Sequence, residues 1–335
     1  MIFHPGILAL VIGSALLTLM TAYGVLLGVK VFLRWDFQSS SAAQLALERK
    51  TSLISTIASY VLGFQIISAL LFVYTVEDIH PLFVGAMCAT GSLNANPVGW
   101  YALFSKIIVC FAAGLWIVLN HLDQQGEDFP LVRLKYLLLT LLLPAITLDS
   151  VLQLRYFLGL DPDIITSCCG SLFSEADVSV AGSIAGLPVL PSIIVYYAGF
   201  ALLLLFAVLS LYSKNPLPRY FLAVFAAAFF LVALAAIVSF ISMYIYELPT
   251  HHCPFDMLQR EYGRIGYPLY VSLFGGVFFG LLPGIFRPLW NIPSLRETVQ
   301  RVERTWILLS MGGLMFFVAM TSYRIYSSNL TYFSY

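Results

Sequence analysis

The sequence predicts an all-α, polytopic integral membrane protein with about eight transmembrane helices. Of its 335 residues, 60% are hydrophobic and only 10% are charged, whereas an average soluble domain has roughly a quarter charged residues. Seventeen Lys and Arg balance seventeen Asp and Glu, so the formal net charge is zero. Such a chain cannot cover a globule with a water-facing surface. The composition excludes a soluble enzyme, a disordered chain and a nucleic-acid-binding protein.

Eight apolar stretches are long enough to cross the lipid bilayer, which takes about 20 helical residues. A transmembrane β-barrel would instead show short alternating strands, and no segment alternates in that way. Charged or Pro/Gly-rich segments bound each stretch, and we expect a single transmembrane domain over residues 1–335. In chain order the predicted spans are 7–33, 52–74, 101–121, 136–156, 189–212, 220–246, 267–286 and 306–326.

The first span is expected to stay in the mature protein, because residues 1–6 contain no Lys or Arg and because Lys30 and Arg34 follow the span. With the N-terminus outside, twelve of the seventeen Lys and Arg fall in inner segments. The inner connections, such as residues 213–219, are short or basic and predict solvated turns. The even span number then makes both termini extracytoplasmic, and we expect the inner (cytoplasmic) membrane of a bacterium.

Charged residues within the third and fourth spans are costly in hydrocarbon, so they pair or serve a function. Lys106 and Asp149 both lie in the outer half of their spans, with Gln153 one turn beyond Asp149 and Arg155 near the interface. Antiparallel neighbouring helices would bring Lys106 and Asp149 to similar depth. The pair predicts either an ion pair that fixes helix packing or a functional site. That site would be a proton path or a cofactor pocket for a quinone headgroup.

Soft ligands are concentrated in three long loops on the predicted outer side, residues 75–100, 157–188 and 247–266. These loops are rich in Gly, Pro, Cys and His rather than in charge, and long apolar loops are usually functional. Each loop follows an even-numbered span, so its thiols can meet the others at one membrane surface. The loops contain four of the five Cys and three of the five His: Cys88, Cys168, Cys169, Cys253, His80, His251 and His252.

Three kinds of chemistry fit this set. The thiols can form two structural disulfides in an oxidising compartment. They can instead carry out thiol–disulfide electron transfer, with Cys253 as the attacking thiolate, His251 and His252 lowering its pKa, and Cys88, Cys168 and Cys169 as partners. A membrane quinone is the natural electron acceptor in that hypothesis.

The third kind of chemistry is a soft transition metal site for binding or transport of copper or zinc. Its donors would come from all three loops and comprise Cys88, Cys168, Cys169, His251, His252, Cys253 and His80. A further alternative is a non-catalytic membrane subunit that docks a periplasmic redox protein or belongs to a membrane complex. The sequence contains no haem c, nucleotide-binding or ferredoxin-type iron–sulfur motif.

The turn at residues 253–256 reads Cys-Pro-Phe-Asp. It is similar in kind to the Cys-Pro-x-Cys redox turn of membrane thiol oxidoreductases of the DsbB and vitamin K epoxide reductase type. The likeness covers these four residues, and Asp256 stands where the second Cys would be. Those families are smaller, with typically four or five spans, and no residue role is carried over from them.

Overall fold

The structure, a computed structural model, describes residues 1–35, 41–126, 128–166 and 180–330. The regular secondary structure of these residues is helical, and they contain no β-strand. Eight of their helices are long and apolar enough to cross a membrane. The predicted all-α class and the number of spans are therefore confirmed. The side of the membrane on which each loop lies stays a prediction.

The helices of the described residues are numbered here in chain order. They are α1 (Pro5–Arg34), α2 (Ala42–Asp78), α3 (Ala89–Asn94), α4 (Gly99–Gln125), α5 (Val132–Leu158), α6 (Val180–Ala185), α7 (Val189–Tyr212), α8 (Leu217–Ala236), α9 (Ser242–Tyr246), α10 (Gly266–Ile285) and α11 (Arg296–Ser327). A π-helical turn, Ile237–Ile241, joins α8 to α9 without a break.

Local chemistry sets several helix ends. Pro5 opens α1, where its missing N–H costs nothing. The Ser41 hydroxyl accepts a hydrogen bond from the Gln44 N–H and caps α2. Helix α2 has 37 residues, so at 1.5 Å per residue it is about 55 Å long and exceeds the bilayer core. Its polar first turns therefore extend beyond the predicted span.

The described chain divides into two compact units. Unit 1 comprises Met1–Ile79, Ser92–Ile164 and Asn291–Thr298. Within it α1 packs against α2 and α5, and α4 packs against the same two helices, so the four form a closed bundle. Large apolar side chains fill the bundle, among them Leu62, Trp116 and Tyr136. The indole N–H of Trp116 donates to the Lys135 carbonyl, which satisfies its polar group inside the core.

Unit 2 comprises His80–Gly91, Ile165–Trp290 and Val299–Tyr335. Helix α8 lies at its centre and packs against α7 and α10. The buried Tyr196 ring contacts Phe229, Phe240 and Phe317, with ring centroids 5.7, 5.8 and 6.3 Å away. Parts of all three long loops meet in this unit, because the Val84 carbonyl accepts from the Thr166 N–H and Gln259 donates to the Met87 carbonyl.

Candidate thiol site

Two tyrosines hold the turn that carries Cys253. Helix α9 ends at Tyr246, and the φ of 56° at the next residue, Glu247, turns the chain out of the helix. The Tyr246 hydroxyl donates to the Cys253 carbonyl at 2.6 Å and accepts from the Met257 N–H at 2.9 Å. The Tyr270 hydroxyl donates to the Pro254 carbonyl at 2.6 Å. These bonds satisfy the buried backbone of the turn and fix the direction of the Cys253 side chain.

Cys88 meets Cys253 in the interior of unit 2. The two Sγ atoms are 3.5 Å apart and both residues are fully buried. A disulfide measures about 2.05 Å, so these sulfurs are in contact and not bonded to each other. The Phe255 N–H donates to the Cys253 sulfur at 3.4 Å, and the Thr90 hydroxyl lies 3.6 Å from it. Both groups can stabilise negative charge on that sulfur.

Asp256 connects the sulfurs to a histidine near the surface. Its carboxylate lies close to both sulfurs, with all three ligand atoms within 4.8 Å of one another, and it forms a hydrogen bond with His251. Burial raises the pKa of the Asp256 carboxyl above its usual range. The hydrogen bond to Asp256 raises the pKa of His251. The His251 side chain is 24% exposed, so a path of polar groups leads from the buried thiols to the surface.

His252 is oriented by the π-turn. A π-turn replaces i→i+4 hydrogen bonding with i→i+5 bonding and is frequent at functional sites. The Val238 carbonyl, within the turn, accepts from His252 Nδ1 at 2.9 Å. That contact fixes the ring of the buried His252 and leaves its other nitrogen as the one that can bind a further group.

The structure places the remaining predicted loop ligands outside the group formed by Cys88, Cys253 and Asp256, or does not describe them. His80 begins the short 3-10 helix His80–Leu82. Among the described residues, the group of donors close enough to share a metal ion is Cys88, Cys253 and Asp256, and it contains none of the three loop histidines. Cys168 and Cys169 lie outside the described residues. Cys110 lies half-buried in α4.

Lys106 and Asp149 form an ion pair in unit 1. Lys106 Nζ lies 2.7 Å from Asp149 Oδ2, and both side chains are buried. Gln65 donates to the same carboxylate oxygen at 2.9 Å, and the Ser105 hydroxyl donates to the other at 2.8 Å. Lys106 also donates to the Ser68 hydroxyl. Because these polar atoms are satisfied within the bundle, the geometry supports the packing role of the pair.

The two other residues of the predicted quinone pocket point elsewhere. Gln153 Nε2 donates to the Leu10 carbonyl at 2.9 Å and to the Ser14 hydroxyl at 3.1 Å, so its side chain ties α5 to α1. Arg155 is exposed in the last turn of α5. A quinone headgroup at Lys106 and Asp149 stays a prediction.

Two residues expected on the solvated inner side are buried. Lys135 forms an ion pair with Asp123 at 2.5 Å, and both side chains are fully buried. Arg219, at the end of the connection 213–219, is also buried and pairs with Glu303 at 2.5 Å. The expectation of a fully solvated turn is therefore wrong at Arg219. A cation beside a span is usually solvated, and only the acidic partner on another helix makes its burial favourable.

Sequence reasoning also missed the role of Asp256, which it treated only as the substitute for a second Cys. The available signal was its position three residues after Cys253 and five after His251.

Comparison of the chain with protein-family models, with curated proteins and with solved structures finds no match in any of the three. The chemistry of the site itself, two buried sulfurs beside a carboxylate, is what supports a function.

Proposed function

We propose that the protein is a membrane thiol–disulfide oxidoreductase in which Cys88 and Cys253 form the dithiol–disulfide couple. The observation that carries the proposal is the 3.5 Å contact of their buried sulfurs. Forming a disulfide from this arrangement needs the sulfurs to approach by about 1.5 Å, a movement within the reach of side-chain rotation.

Oxidation of this couple forms one S–S bond and releases two protons and two electrons. The electron acceptor is either a disulfide of an extracytoplasmic redox protein, reduced through a mixed disulfide, or a membrane quinone, which takes up two electrons and two protons. Cys253 is the attacking thiolate, because the Phe255 N–H and the Thr90 hydroxyl stabilise charge on its sulfur. Cys168 and Cys169 are the proposed relay between the buried couple and a protein partner.

Asp256 and His251 provide a route for the protons. The Asp256 carboxylate lies beside both sulfurs and can accept a thiol proton, and His251 is hydrogen-bonded to it and partly exposed. A carboxyl whose pKa is raised by burial is better matched to proton transfer near neutral pH than an ordinary aspartate. In the sequence-based hypothesis the histidines acted on Cys253 directly, whereas here His251 acts through Asp256.

Alkylation of the purified protein over a series of glutathione redox buffers tests the couple. We expect the thiols of Cys88 and Cys253 to disappear together as the buffer becomes oxidising, and we expect a disulfide-linked pair of peptides that contain these two residues. Cys88→Ser and Cys253→Ser should each abolish the pair, whereas the matched control Cys110→Ser should behave as the wild type. Cys88 and Cys253 that remain alkylatable in every buffer would rule the couple out. A reduction potential below roughly −300 mV would indicate a structural disulfide instead.

A metal site is the second candidate, and the close approach of Cys88, Cys253 and Asp256 favours it. Two thiolates and a carboxylate suit zinc, and thiolates also suit Cu(I). His80, His251, His252, Cys168 and Cys169 stay predicted further donors. Metal analysis of the isolated protein should then find one zinc or copper per chain, retained in Cys110→Ser and lost in Cys88→Ser/Cys253→Ser.

The third alternative is a non-catalytic subunit that docks a redox protein. It predicts that a partner protein co-purifies with the chain in stoichiometric amount when the membrane is solubilised in a mild detergent.

A further inference from the structure

A basic cavity lies within unit 2, away from the elements that carry the thiols. It has a volume of about 490 Å³ and opens where α7 ends, where α8 begins and along α11. Leu211, Ile307 and Leu308 form an apolar part of its wall. A polar part is formed by Arg219, Gln300 and Arg304, together with Glu303 and Trp290. The cavity is therefore apolar on one side and cationic on the other.

Arg219 builds the cationic wall. Its guanidinium donates to Glu303, to the Ser213 carbonyl at 3.0 Å and to the Asn215 carbonyl at 2.8 Å. Since this arginine is buried and its guanidinium donates to three acceptors, one carboxylate and two backbone carbonyls, its position at the rim of the cavity is fixed. Its charge is offset by Glu303.

A second arginine leaves the wall positively charged, and a third lies beside the wall. Arg304 lines the cavity and is exposed. The Arg287 guanidinium stacks on the Trp290 ring at 3.6 Å, and Arg219 lies 5.0 Å from the same ring. Among the residues that line the cavity, two guanidinium groups (Arg219 and Arg304) and one carboxylate (Glu303) give a net charge of +1. Planar guanidinium groups are well suited to phosphate oxygens.

We propose that this cavity binds the phosphate group of an anionic phospholipid, with the guanidinium of Arg304 as a direct contact. The position supports a lipid, because the ends of membrane-spanning helices lie at the depth of the headgroups. Basic pockets between transmembrane helices bind such headgroups. The apolar wall at Leu211 and Ile307 suits the glycerol and first acyl carbons. A soluble phosphate ester shares the phosphate chemistry and would not use that wall.

Lipid titration of the protein in an uncharged detergent tests the proposal. Phosphatidylglycerol, phosphatidylcholine and inorganic phosphate are compared by native mass spectrometry and by the unfolding temperature. We expect phosphatidylglycerol to bind and to raise the unfolding temperature, with little effect of phosphatidylcholine or inorganic phosphate. Arg304→Gln should weaken phosphatidylglycerol binding about fivefold, as expected for one cation at a headgroup.

Arg301→Gln is the matched control, because it removes the same charge from an exposed position one turn earlier on α11. It should bind phosphatidylglycerol as the wild type does. Equal weakening by Arg301→Gln and Arg304→Gln would overturn the proposal in favour of diffuse surface charge. Equal stabilisation by inorganic phosphate would overturn the lipid assignment, as would binding of phosphatidylcholine as tight as that of phosphatidylglycerol. Unchanged unfolding of both variants without lipid checks their fold.

Discussion

Asp256 places a carboxylate beside the two buried sulfurs of Cys88 and Cys253. In a Cys-Pro-x-Cys turn the second sulfur comes from the same turn, whereas here it comes from Cys88, 165 residues away in the chain. Asp256 takes the position that the second Cys would occupy and contributes a carboxylate instead. The site therefore combines a cross-loop pair of sulfurs with a neighbouring group that can exchange protons.

Replacing Asp256 by Asn keeps the size of the side chain and removes the proton acceptor. We expect Asp256→Asn to slow oxidation of the Cys88–Cys253 couple by about a hundredfold, the lower end of the usual contribution of a general base. Quenched alkylation at fixed oxidant concentration measures the rate. Glu261→Gln, an exposed acidic residue of the same loop, is the control and should leave the rate unchanged. A normal rate in Asp256→Asn would remove Asp256 from the proposed mechanism.

The His251–Asp256 hydrogen bond predicts a pH dependence of stability. The pKa of His251 is raised in the folded protein, above an unfolded value of about 6.5. The folded state then holds this proton to higher pH, so the stabilisation is complete below the unfolded pKa and is lost as pH rises through the folded pKa. We expect the unfolding temperature to fall as the pH rises from about 6.5 into the alkaline range.

The same titration of His251→Gln should show a smaller fall across that range. His80→Gln, which removes a histidine of unit 2 outside the hydrogen bond with Asp256, should keep the slope of the wild type. Identical slopes for wild type and His251→Gln would contradict the assignment of the pH dependence to this histidine.

At the scale of elements, α10 and α11 make a close contact through glycine. A Cβ at Gly276 would lie 2.7 Å from Leu314 Cγ and 3.0 Å from the Leu314 backbone nitrogen, whereas a Cβ at Gly275 would meet nothing within 4 Å. The Ser310 hydroxyl also donates to the Gly276 carbonyl at 2.7 Å. Small residues permit such close approach of membrane helices.

These two neighbouring glycines make a matched experiment. Gly276→Ala should lower the free energy of unfolding by about 1–3 kcal/mol, because the backbone of α11 must move. Gly275→Ala should raise it by up to about 1 kcal/mol, because alanine is the better helix former. Unfolding by denaturing detergent in mixed micelles measures both. Similar losses in the two variants would contradict the contact between α10 and α11.

The Lys106–Asp149 pair can be tested as a packing element. Lys106→Met leaves a buried carboxylate without its cation and should cost about 3–5 kcal/mol of unfolding free energy. The double variant Lys106→Met/Asp149→Leu should recover most of that loss, since an apolar pair of similar volume replaces the ion pair. Lys30→Met, at an exposed cation of α1, is the control and should change little. A double variant as unstable as Lys106→Met would show that the hydrogen bonds of Gln65, Ser68 and Ser105 to the pair, and not the ion pair itself, stabilise the packing.

For the whole molecule, the distribution of cations predicts both termini outside. A C-terminal fusion to alkaline phosphatase, which is active only outside the cytoplasm, should be active in a bacterial host. The same fusion to green fluorescent protein should be dark. Truncation of the chain after Lys214 should reverse both results, because that connection is expected inside. Fluorescence of the full-length fusion would invert the predicted topology and the side of the thiol site.

Much of the fold could be predicted from the sequence, because the bilayer imposes a length and an apolar composition on each span. The extra turns of α2 and α11 could not, since polar residues continue a helix in water without a hydropathy signal. The long loops indicated that Cys88 and Cys253 share one surface. Their contact could not be predicted, because it depends on Tyr246 and Tyr270 holding the turn. The burial of Lys135 and Arg219 depends likewise on partners distant in sequence.

The two ion pairs of α4 and α5 have a consequence for biosynthesis. Helix α4 supplies Lys106 and Asp123, and α5 supplies Asp149 and Lys135. Each helix therefore contributes one cation and one anion, and each of these charges pairs with a charge on the other helix. A single charged residue in a nascent span opposes its partition into lipid by up to about 3 kcal/mol. The cation and the anion of one helix lie several turns apart, so they cannot pair with each other. The two are therefore expected to leave the translocon as one hairpin, after the ribosome has completed both.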